Sequence, residues 1–113
     1  MRIFIVALAL ATISLQAHAY VDICEMKRSQ AEAQQCYQYG ANGGMLRMKE
    51  NYKRIVNSSS VSDSEKRELQ DNQKKWEKAV SSKCDDNVCY YRAIGSRNDE
   101  IEQFMRSHSL QPM

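Results

Sequence analysis

Four cysteines, Cys24, Cys36, Cys84 and Cys89, are spread through a chain of only 113 residues, and they constrain its fold more than any other feature. A chain of this length has room for one small domain with a modest core. Its N-terminus carries Arg2, an almost unbroken apolar run over 3–15 and the small-x-small sequence Ala17-His18-Ala19, the pattern of a signal peptide covering 1–19 and cleaved after Ala19. The run is too short for a spanning helix of about 20 residues, so the expected product is residues 20–113, periplasmic or secreted, with no stable membrane insertion. An even number of cysteines in a short exported chain reads as two disulfides. Three pairings are open. Local pairing, Cys24 with Cys36 and Cys84 with Cys89, is favoured because short loops close readily. It demands a non-helical break within 24–36, since a continuous helix would hold those alpha carbons about 18 Å apart.

Proline occurs once, at Pro112, and glycine only at 40, 43, 44 and 95, so long helices are expected through the Glu-, Lys-, Gln- and Met-rich remainder. A first helix is read over about 25–38 and is ended by Gly40-Ala41-Asn42-Gly43-Gly44. Apolar residues at 45, 48, 52, 55 and 56 form an i, i+3, i+7, i+10 stripe that predicts a second helix over 45–57. After the polar stop Asn57-Ser58-Ser59-Ser60, the pair Ser62 and Glu65 reads as a capping box starting a third helix. The inward stripe of that helix is Leu69, Gln73, Trp76 and Val80. A fourth helix is expected over 89–107 along Tyr90, Ile94, Arg97, Ile101, Phe104 and Met105, with Gly95 a candidate bend. No stretch alternates strictly enough to suggest a strand. The fold class is all-α, a small disulfide-stapled bundle of three to four helices.

Little in this chain offers catalysis. Past the leader the single histidine is His108, expected in a frayed, solvated tail, and no nucleophile is placed beside it. A zinc site needs four Cys or His ligands, and Cys84-x4-Cys89 is not the spacing of a thiol-disulfide enzyme. No metal, cofactor or enzymatic activity is expected. The formal net charge of +2 falls by one when Arg2 is removed, which gives no concentrated basic face for nucleic acid. The basic residues of 47–54 and 66–78 alternate with Glu50, Glu65, Glu68, Asp71 and Glu77 at helical spacings, the pattern of a self-paired solvated face. Tyr52 and Trp76 lie on apolar lines and read as core.

One constellation is specific: Leu69-x3-Gln73-x2-Trp76-x7-Cys84, then Cys89-x7-Arg97, with Cys24 and Glu32-x3-Cys36 upstream and Tyr52 between. Over residues 24 to about 101 the chain resembles the LprI-type lysozyme inhibitor domain, a family of small exported bacterial proteins. It departs from the family pattern at Val80-Ser81, where members carry Arg-Asp, and at Gly44 and Met48-Lys49. The resemblance implies a helical periplasmic domain whose architecture is held by the four cysteines with Gln73, Trp76 and Arg97. The residues themselves agree on one point: Gln73 and Arg97 occupy seam positions, where a buried amide or guanidinium must be hydrogen-bonded. They are expected to meet each other or a backbone carbonyl across the third and fourth helices.

The expected function is that of an exported non-enzymatic binding protein that inhibits a lysozyme. Asp85 and Asp86 in the turn, with Tyr90 and Tyr91, are the expected contact positions. The alternative is an envelope structural or interaction protein with another partner and no lysozyme affinity.

Overall fold

A computed structural model describes residues 23–113; the expected signal peptide and its cleavage site lie outside them. The chain divides into two compact units, one ending at Cys36 and the other spanning Tyr37–Met113. In the described part of the first, a helical turn at 23–25 is followed by a non-helical stretch at 26–29 before α1 begins. That break lets Cys24 bond Cys36 across a Cα–Cα distance of 5.5 Å. Glu32 secures the start of the helix: its N–H donates to Ser29 Oγ at 3.1 Å and its carboxylate accepts from the Arg28 N–H at 3.3 Å.

Three long helices, α1 (Gln30–Val56), α2 (Asp63–Lys83) and α3 (Asn87–Ser107), carry the described fold. It is all-α, with both disulfides between sequence-local cysteines. Where the sequence suggested two helices parted by glycines, α1 runs without interruption through 40–44. The reason is packing. A Cβ on Gly40 would lie 2.5 Å from Cε2 of Tyr91, and one on Gly44 would lie 2.6 Å from Cγ2 of Ile94. Spaced by four, both glycines sit on one face of α1, and their bare backbone lets α3 come close. Asn98 exploits the approach, donating from Nδ2 to the Gly44 carbonyl at 2.9 Å. Each glycine costs a helix about 1 kcal/mol relative to alanine, and the α3 contact offsets it. Gly95 lies in uninterrupted helix with open space in its Cβ direction.

α2 begins at the capping box read from sequence, with Ser62 and Glu65 satisfying each other's backbone N–H groups. Its C-cap, Cys84, bonds Cys89 in the first turn of α3, with the alpha carbons 5.3 Å apart. Asp86 caps α3 by accepting from the Cys89 N–H at 2.9 Å, which starts that helix two residues before the expected position. Loop closure makes disulfides of these spans worth roughly 2–3 kcal/mol each.

The core comprises Ala41, Met48, Ile55, Val61, Leu69, Ile94, Ile101 and Met105. Tyr52, Trp76, Tyr90, Tyr91, Phe104 and Leu110 pack half-buried against it. α2 contributes only Leu69 to the fully buried set. The C-terminal tail does not fray. Ser109 adopts φ 60°, and the Ser109 and Leu110 N–H groups donate to the Arg106 and Met105 carbonyls at 3.2 and 2.8 Å. This is a Schellman cap, formed here by serine in the left-handed position usually given to glycine. The tail is then tied to α1, with Arg54 Nη1 donating to the Gln111 carbonyl at 3.1 Å and the Met113 N–H to the fully buried Asn51 Oδ1 at 2.7 Å.

The glycines separate into two kinds by experiment. Gly44→Ala pushes against the β-branched, buried Ile94 and is expected to destabilise by about 1–2 kcal/mol after the gain in helix propensity. Gly43, whose Cβ would meet nothing within 4 Å, should gain about 0.5–1 kcal/mol as alanine. Urea denaturation of the two variants reads the contrast.

Candidate functional site

α2 has a thin apolar face, and polar contacts set its position. At mid-length, Arg97 Nε on α3 donates to Gln73 Oε1 at 2.8 Å. Gln73 in turn donates from Nε2 to Met48 Sδ on α1 at 3.3 Å. The two seam residues therefore do meet, and the amide links all three helices. Arg97 Nη1 also reaches Glu100 at 3.0 Å. Behind this level, Arg47 of α1 pairs with Glu102 of α3, whose side chain is only 6% exposed.

His108 holds the first turn of α2. Nε2 lies 2.6 Å from Glu65 Oε2 and Nδ1 lies 2.8 Å from the Phe104 carbonyl, while the ring stacks on Phe104 at 4.1 Å. Both nitrogens face acceptors, so the imidazolium form is the one that satisfies both contacts. The Phe104 carbonyl and then Glu65 raise the imidazole above its ordinary 6.5. The bond from His108 and those from Ser62 hold the Glu65 carboxyl below its ordinary 4.5. The expected solvated histidine is thus a clamp, and Ser60 Oγ adds a bond to its carbonyl at 3.2 Å.

To either side of the Gln73–Met48 contact, α1 and α2 do not close on each other. A cavity of about 790 Å³ lies between them, lined by Met45, Leu46, Met48, Tyr52, Gln70 and Gln73 with Asn42, Lys49, Lys74 and Glu77. It shares Asn42, Met45 and Glu77 with a second cavity of about 470 Å³, where Trp76, Val80, Tyr90 and Ile94 take over the lining. Together they make one groove, floored by core residues. Burial raises the Tyr52 phenol above its ordinary value, against the pull of Arg97. Among the described residues no three of His, Cys, Asp and Glu gather as metal ligands.

The residues singled out from the sequence are divided by this arrangement. Tyr52, Gln73, Trp76 and Tyr90 line the groove; Leu69 and Arg97 are buried behind it. Glu32 serves the N-terminus of α1. The four expected contact residues differ in their surroundings. Asp85 is exposed, Asp86 is the α3 cap, and Tyr91 packs over Gly40 and edge-on to Tyr37 with centroids 5.4 Å apart. Asn51, Asn98 and Glu102, buried and essential to the packing, were not anticipated. For Asn98 and Glu102 a signal exists: both lie four residues along α3 from buried Ile94 or Asn98, on its inward stripe. Compared with known proteins, the chain matches no family model, no curated protein and no solved structure.

Replacing Gln73 by leucine leaves the Arg97 Nε–H without its acceptor, and a loss of about 1.5–3 kcal/mol is expected in chemical denaturation. The clamp makes stability depend on pH. The raised imidazole contributes fully below about pH 6.5 and loses its contribution as pH rises through the folded-state value. The depressed carboxyl contributes fully above about pH 4.5 and loses its contribution as pH falls through its folded-state value. Stability from this pair is therefore greatest between about pH 4.5 and 6.5, and His108→Gln should flatten the decline between pH 6 and 9 in melting curves.

Proposed function

We propose that this chain is an exported, non-enzymatic binding protein that engages a protein partner, and that the partner is a lysozyme or related muramidase which it inhibits. The observation that carries the binding role is the groove of about 790 Å³ left open between α1 and α2. At its edge Met45 and Leu46 keep 40% and 67% of their surface exposed, apolar side chains available to a partner. Export is supported by the two disulfides, which persist in oxidising compartments, and no helix among the described residues is long and apolar enough to cross a membrane. The groups that might have served chemistry have structural work: His108 clamps α2, Asp86 caps α3 and Glu102 pairs with Arg47.

The choice of a muramidase rests on the Leu69, Gln73, Trp76, Cys84 and Arg97 constellation and its likeness to LprI-type inhibitors. A second reading, an envelope interaction protein without lysozyme affinity, is favoured by Asp86 and Tyr91 being engaged internally. Residual activity of c-, g- and i-type lysozymes titrated with the oxidised protein separates them, with reduced and alkylated protein as control. Stoichiometric inhibition of one type, lost on reduction, is the expected result. A folded, helical sample that inhibits none of them at micromolar concentration would transfer the assignment to the second reading.

A further inference from the structure

We infer that the groove between α1 and α2 receives an acidic amphipathic helix of the partner protein. The inference rests on the binding role proposed above and names the chemistry of the occupant. Along α1 the two cavities run from Gln38 to Tyr52, about 21 Å at the α-helical rise, or four turns. The walls are themselves helices, so a further helix laid between them would complete a bundle. The apolar side chains are placed for this. Met48, Ala41 and Ile94 form the floor and are buried, while Met45 and Leu46 at the edge keep 40% and 67% of their surface exposed.

An enclosed small molecule would leave that edge wet. A helix carrying apolar residues at i, i+3, i+4 and i+7 covers floor and edge together. Two methionines in the lining suit such an occupant, since the unbranched thioether adapts to imperfectly matched surfaces.

Charge selects the sign of the partner. Lys49 on α1 and Lys74 on α2 line the same cavity from opposite walls, and neither has an ion pair or hydrogen bond among the described residues. Glu77 is the one carboxylate among the lining residues of either cavity. Two unpaired lysines among the lining of one largely apolar cavity favour glutamate or aspartate on the flanks of the incoming helix and disfavour lysine there.

The single tryptophan, Trp76, lines the second cavity and reports occupancy directly. The probe is a blocked synthetic peptide of about 14 residues, with leucine and methionine on one face and glutamate on the flanks. A second peptide carries lysine for every glutamate, and sodium oleate tests an anionic small molecule. Trp76 fluorescence and amide chemical shifts of the oxidised protein are followed in each titration.

The acidic peptide is expected to bind about tenfold or more tightly than the basic one. Lys49→Glu with Lys74→Glu should reverse that order. Leu46→Glu, at an exposed position, should weaken binding about tenfold with an unchanged thermal melt. Equal binding of the two peptides, binding of neither, displacement of the peptide by oleate, or a groove saturated by self-association would each overturn the proposal. The two proposals fail separately. Lysozyme inhibition undiminished in Leu46→Glu would discard the groove and leave the inhibitor, whereas charge-selective peptide binding without inhibition of any lysozyme would keep the groove and discard the muramidase.

Discussion

The close contact between α1 and α3 at Gly40 and Gly44 is the constraint on which the rest of the Tyr37–Met113 unit depends. Without side chains there, Tyr91 and Ile94 seat directly on the α1 backbone. Asn98 then reaches the Gly44 carbonyl, and Arg47 lies close enough to pair with the buried Glu102. A buried carboxylate is tolerated only with such a partner. The hydrogen-bonded and ionic contacts between these helices are consequences of how near the backbones are.

Against that pair α2 is an element of a different kind. Buried Leu69 and half-buried Trp76 are a small apolar seam for a helix of 21 residues. The helix is also held at three points: by Glu65 to His108 at its start, by Gln73 to Arg97 in the middle, and by the Cys84–Cys89 bridge at its end. Polar and covalent fastenings act at points, whereas a hydrophobic seam acts along a length. Point fastening lets α2 stand off α1, and the groove is the space that results.

The same economy assigns roles to side chains that a sequence leaves ambiguous. In a small domain with a modest core, the small contribution of a well-placed histidine, aspartate or amide is a meaningful share of a small net stability. His108, Asp86 and Gln73 are used in this way. What remains on the groove is apolar surface with Lys49, Lys74 and Glu77 among its lining.

The sequence by itself determined whatever depends on near neighbours along the chain. The capping box at Ser62 and Glu65 needs four residues, and the stripes through Met48 and Ile55 or Ile94 and Ile101 follow from helical periodicity; the local disulfides, with separations of 12 and 5 residues, were the favoured one of three open pairings. The meeting of Gln73 and Arg97 was also legible, because a polar residue on each of two facing seams has few other ways to be satisfied. Tertiary structure alone decided the rest. Gly40 to Gly44 read as a break because local propensity counts only the cost of glycine, and the compensating contact comes from Tyr91 and Ile94, some 50 residues away. His108 read as a solvated tail residue, and Asn51 drew no attention, because a polar group's engagement shows only when its partner, Glu65 or the Met113 amide, is in place. The groove belongs to this second class as well, since an unfilled space between helices is a property of their relative placement, which no local pattern encodes.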